Sequence, residues 1–88
     1  MHVNFLGAIR EITGTRRQAV GASSVRDLLS LLLGEYGPRW EEQVFDGKVL
    51  AAGVVVMVNG TNVDSLRGLA TPLSPGDRID LLSMFEGG

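Results

Sequence analysis

The chain closes on Ser83-Met84-Phe85-Glu86-Gly87-Gly88, and its final two glycines are the residues that most directly invite chemistry. A backbone carboxylate behind residues without Cβ atoms is slim enough to thread a narrow channel into another protein's active site. There it can react with ATP to give an acyl-adenylate, which a sulfur or amine nucleophile then captures. The protein is the acyl substrate in such a reaction, in contrast to side-chain nucleophilic catalysis. On this reading Gly88 carries the reacting group, Gly87 permits passage, Glu86 begins the extended segment and Phe85 anchors its base. Stability does not explain the pair, because terminal glycines add almost nothing to a core.

Side-chain chemistry is sparse. Cysteine is absent, which removes disulfides, iron–sulfur ligation, zinc–thiolate sites and cysteine nucleophiles together. The single histidine, His2, supports neither a triad nor a multi-histidine metal site, and its place in the sequence is that of a solvated strand residue. No nucleophile with a base and no phosphate-binding loop stands out, so the chain is expected not to be an enzyme and to hold no metal or cofactor. A net charge of −2 with scattered acidic residues gives no nucleic-acid footprint. Lys48, in "FDGKVL", is the one lysine beside seven arginines. It is ordinarily a solvated charge, and it is the only side-chain amine to which an activated terminus of another copy could be joined.

These residues need a scaffold, and 88 residues suffice for one domain, spanning 1–88, with one modest core. Apolar runs such as "VVVMV" are too short to span a membrane, and the start lacks a basic targeting region, so the expected location is cytoplasmic. "HVNFLGAIRE" alternates Val3, Phe5 and Ile9 against His2, Asn4, Leu6 and Ala8, which predicts a strand with one buried face. "ITGTR" turns it into a second short strand, "RRQAV". Val25, Leu28, Leu29, Leu32 and Leu33 form a helical stripe. Ser24 is the expected N-cap, with Asp27 completing a capping box, and Gly37-Pro38 is the expected stop. "PRWEEQVF" reads as one or two further helical turns with Trp40 and Val44 as its apolar contact. "VVVMV" reads as a strand buried on both faces, and Asn59-Gly60 as a tight turn. A loop-rich stretch to Asp77 precedes the last strand, "RIDLLSMF". This order predicts an α+β sheet covered on one face by a helix.

The other face should be polar, yet it collects apolar residues. On the last strand Leu82 and Met84 share their side with Arg78 and Asp80, and Leu6 stands among the outer residues of the first strand. If the strands are neighbours, these form a patch beside the terminus that is suited to docking a partner. Leu66, in the loop-rich segment, is grouped with them as partner-facing. The competing reading has residues 62–74 folding over this face and burying it.

"FLGAIREITG", "VVVMVNGTNVDSLRGLATPLSPGDRIDLL" and the terminal Gly87-Gly88 resemble the ubiquitin-like sulfur carriers, and among them the small subunit of molybdopterin synthase. The resemblance covers most of the chain. It implies a β-grasp fold with adjacent, parallel first and last strands, which favours the exposed patch. It also implies that Gly88 is adenylated by a ubiquitin-activating-type enzyme that uses ATP. A sulfur-donor protein then helps convert Gly88 to a thiocarboxylate, and a larger synthase subunit takes the sulfur to build a pterin dithiolene. Ser83-Met84-Phe85-Glu86 lacks the proline-rich apolar approach usual in that branch. Thiamine synthesis, tRNA thiolation, cysteine synthesis and protein conjugation therefore stay open as uses, as does a ubiquitin-like interaction module that is never activated.

Overall fold

A computed structural model of the chain describes residues 1–84. The expectations placed on Phe85, Glu86, Gly87 and Gly88 lie outside the described residues. Within them the order is β1 (His2–Gly7), α1 (Ala8–Thr13), β2 (Arg17–Ala19), α2 (Val25–Tyr36), α3 (Pro38–Val44), β3 (Phe45–Asp46), β4 (Val49–Leu50), β5 (Val54–Val58), β6 (Thr61–Asn62) and β7 (Arg78–Ser83), with 3-10 turns at Val63–Ser65 and Gly68–Ala70.

The main sheet runs β2-β1-β7-β5-β6, and β3 pairs with β4 in a separate small hairpin. β1 and β7 are parallel, with Val3 opposite Ile79 and Leu6 opposite Leu82, while the other pairings are antiparallel. A parallel pair requires a long crossover, and here nearly the whole chain supplies it. Successive strand residues point to opposite faces. Val3, Phe5, Val56, Val58, Ile79 and Leu81 accordingly form the buried face, and the α2 stripe of Val25, Leu28, Leu29 and Leu32 belongs to the same core. The expected sheet-and-helix architecture is present.

α2 begins where the sequence places it. The Ser24 hydroxyl accepts the Asp27 backbone N–H, while Arg26 and Ser30 lie outside the buried stripe. The Asp27 carboxylate, however, accepts from the Ser23 hydroxyl rather than closing a capping box. Gly37 ends the helix with φ 75°, and Pro38 opens α3, where a missing backbone N–H is harmless. Trp40 and Val44 are fully buried. Trp40 stacks on Tyr36 and meets Phe5 edge-on, so it is a core residue. Asn59 and Gly60 both have positive φ, as a tight hairpin turn requires.

Two expectations are corrected. The first strand stops at Gly7, and Ala8–Thr13 is a short helix. The alternation could not separate these because Ile9 is buried in either arrangement. β5 is also not buried on both faces, for Val56 and Val58 are buried while Val55 and Met57 are only half-covered. The helices lie on one side of the sheet, and this is the side β5 shares with the core.

Candidate functional site

The site is the end of β7, from which residues 85–88 continue. β7 lies between β1 and β5, so its end is held from both sides. Ser83 is opposite Gly7 on β1 and Val54 on β5. Beyond the strand, the Met84 N–H still donates to the Gly53 carbonyl at 2.9 Å. From α3 the Gln43 side-chain amide donates to the Ser83 hydroxyl at 2.5 Å, and Ser83 is only 5% exposed.

Gly7, Gln43, Gly53 and Ser83 were not singled out by the sequence reading. The available signals were a glycine inside the first apolar alternation and a serine on the inner side of the last one. Gly7 has φ 65° and ψ −143°, a conformation that residues with a Cβ rarely adopt. A Cβ there would lie 2.4 Å from the Ser83 carbonyl oxygen. Gly7 thus lets the first strand turn into α1 while its backbone closes on the strand that carries the terminus. We expect Gly7→Ala to destabilise the fold by about 2–5 kcal/mol through strain and overlap, read as a lower urea midpoint at unchanged m-value. A midpoint equal to wild type would show that the two backbones part without cost.

The outer sheet face is graded along the strands. Leu6, Leu82 and Val55 form one cross-strand row nearest the tail. The next row is Asn4, Asp80 and Met57, with Asn4 donating to the Asp80 carboxylate at 2.9 Å. Arg78 pairs with Asp80 at 3.5 Å farther from the tail. Leu6 is 42% exposed and Met84 68%, while Leu82 is half-buried. Residues 62–74 do not cover them, because that segment runs along the start of α2. Leu73 donates its N–H to the Ser23 carbonyl, Val25 donates to Thr71, and Val63 and Leu73 join the core. Leu66 is exposed on this segment, but the strand register does not place it in the Leu6–Leu82 row.

The remaining expected residues separate from this end. His2 is exposed on β1 and lies opposite Arg78, at the other end of the strand pair from Leu6. Lys48 is exposed in the turn between β3 and β4. At the start of β7 the Asp77 carboxylate accepts from the Ser74 backbone N–H and the Asn59 amide, which hold its pKa below the usual range. That carboxyl titrates lower folded than unfolded. Its contribution is therefore present above the unfolded pKa and lost as pH falls through the lower folded value. Among the described residues no group of three or more His, Cys, Asp or Glu side chains could hold a metal ion, and no helix is long and apolar enough to cross a membrane. What the arrangement supplies is a fixed base for the terminus beside an apolar row.

The model of the ThiS family matches residues 3–88. Small archaeal modifier protein 1 of Methanosarcina acetivorans is 27% identical with a TM-score of 0.83, covering 99% of this chain and 94% of that one. Mycobacterium tuberculosis CysO, described as an antigen, is 25% identical with a TM-score of 0.79, covering 96% and 98%. A chain of the Amycolatopsis orientalis BexX/CysO complex is 19% identical with a TM-score of 0.84, covering 99% and 98%, and speaks to the fold alone. No curated protein matches the sequence. The match runs from β1 through the terminal glycines, and the fold is the β-grasp of these neighbours: the chain belongs to the ThiS family of ubiquitin-like sulfur carriers.

Proposed function

We propose that this protein carries sulfur on its own terminus. The Gly88 carboxylate attacks the α-phosphorus of ATP in a ubiquitin-activating-type adenylating enzyme, and pyrophosphate leaves. The terminal sulfur of a persulfide on a donor protein then attacks the carbonyl carbon, AMP departs and an acyl disulfide forms. A thiol attacks the donor-side sulfur of that S–S bond, so the thiocarboxylate leaves and the donor remains in a mixed disulfide with the thiol. The observation that carries this reading is the family match through Gly88, joined to a β7 that is held on both sides up to the tail. The chain contributes no acid or base to these steps. It contributes the carboxylate, a fixed launch point and the apolar row of Leu6, Leu82 and Val55, with Met84 beside it, as the surface that docks its partners.

For the acceptor we place the dithiolene of a molybdopterin-type cofactor first, on the sequence stretch Val54–Leu82, with a larger synthase subunit as partner. Intact mass spectrometry of protein from its native host tests the carrier reading. The expected species is heavier by one sulfur exchanged for one oxygen, with the change mapping to Gly88. A fully oxygenated terminus under conditions that induce sulfur demand overturns it. Cofactor formation with the larger subunit and a pterin precursor tests the acceptor separately.

A second reading, protein modification, is favoured by the 27% identity to an archaeal small modifier protein. If copies are joined to one another, Lys48 is the acceptor, being the one lysine and exposed in its turn. Lys48→Arg is then expected to remove the self-conjugate ladder on a denaturing gel without changing activation. A ladder that survives the substitution excludes Lys48.

A further inference from the structure

We propose that Gln43 is a positioning residue for activation of the terminus: its hydrogen bond to Ser83 sets the point from which the tail enters the partner enzyme. This rests on the carrier reading and adds a residue to it. On the inner side of β7, Ile79 and Leu81 are wholly buried and apolar, and Ser83 follows in the same register. A third apolar side chain would continue that face without needing a partner. A buried hydroxyl must instead be hydrogen-bonded, and such a bond is directional where apolar packing is not. Gln43 supplies it from a helix that Trp40 and Val44 fix in the core.

The same helix is tied to the other contact at the tail base. The Val44 carbonyl accepts the Ala51 N–H, at the head of the turn whose Gly53 carbonyl accepts the Met84 N–H. Gln43, Gly53 and Ser83 thus share one frame around residues 83 and 84. Gly7 closes the side opposite Val54, where no added Cβ fits. A carboxylate that must meet the α-phosphorus of ATP in line loses rate steeply when its approach is displaced by about 1 Å. Docking by the outer apolar row depends on different residues. Loosening the Gln43 contact should therefore lower turnover and spare affinity.

The test compares wild type, Gln43→Ala, Ser83→Ala, the double variant and Gln43→Glu in ATP–pyrophosphate exchange with the adenylating enzyme of the same organism. Each alanine variant is expected to lower kcat about tenfold while KM for the carrier stays within about twofold, and the double variant should be no worse than either single one. Gln43→Glu can accept from the Ser83 hydroxyl and should recover most of the rate. A merely structural contact would lower the melting temperature without splitting kcat from KM. A second measurement needs no partner and holds even if Ser83→Ala fails to fold. Amide exchange at Met84 should be about tenfold faster in Gln43→Ala, with Ile79 unchanged. Equal kcat in wild type and Gln43→Ala, or unchanged exchange at Met84, overturns the role of Gln43 alone. A wild-type protein that is never activated overturns the carrier reading and this role with it.

Discussion

Deleting Gly88, or adding one alanine beyond it, is expected to abolish ATP-dependent activation while leaving the melting temperature essentially unchanged. The second half of that expectation follows from where the core ends. Among the described residues, every apolar residue of the buried cluster lies between Val3 and Leu81, and the hydrogen bonds described at the tail base involve Ser83 and Met84. Neither change touches them. The first half follows from the chemistry. Deletion draws the carboxylate back by one residue, up to about 3.5 Å of extended chain, which removes it from in-line reach of the α-phosphorus. Extension moves it forward by a similar distance and puts a methyl group where glycine offered none. Loss of pyrophosphate exchange by more than about a thousandfold is expected for both, consistent with a near-attack geometry being lost. Differential scanning calorimetry on the same preparations supplies the control. An extended protein that is not trimmed and still acquires sulfur would show that the terminal carboxylate is not the working group.

Much of this architecture is legible in the sequence because its signals are local. Val25, Leu28, Leu29 and Leu32 repeat at helical spacing behind a serine cap, and the structure buries all four. Asn59-Gly60 announces a hairpin because few other pairs tolerate two positive φ angles. The first strand looks longer in the sequence than it is, for an equally local reason. Val3, Phe5 and Ile9 fit period two, but Ile9 also lies four residues from Phe5, a spacing that a helix can bury as well. A helix of six residues is too short to display its own period. Gly7 decides between them through its backbone angles, which its one-letter code does not disclose. Ser83 and Gln43 are silent in the sequence because their meaning is a contact across 40 positions, and no spacing rule reaches that far. Parallel pairing of β1 with β7 is likewise non-local, so the family resemblance implies it where alternation is silent.

The apolar row at the tail end of the sheet leads to the second large effect. Leu82→Arg is expected to fold and to bind the adenylating enzyme about 30- to 700-fold more weakly, a loss of roughly 2–4 kcal/mol. Leu82 sits in the middle of its row, between Leu6 on β1 and Val55 on β5, and it faces away from the core residues Ile79 and Leu81. The face already carries Arg78 and Asp80, so a long basic side chain can lie along it with its guanidinium in water. The unbound protein should therefore lose no more than about 1 kcal/mol. In the complex the same guanidinium would be desolvated among apolar groups without a counter-charge, and that penalty falls on binding. Leu31 is the control, because it is 45% exposed on α2, away from this row. Leu31→Arg should bind as wild type does, which separates loss of a particular surface from loss of hydrophobicity in general. Titration calorimetry gives the affinities and circular dichroism the fold. An unfolded Leu82→Arg protein would assign Leu82 to the core, and equal weakening by both substitutions would remove the outer sheet face as the docking surface.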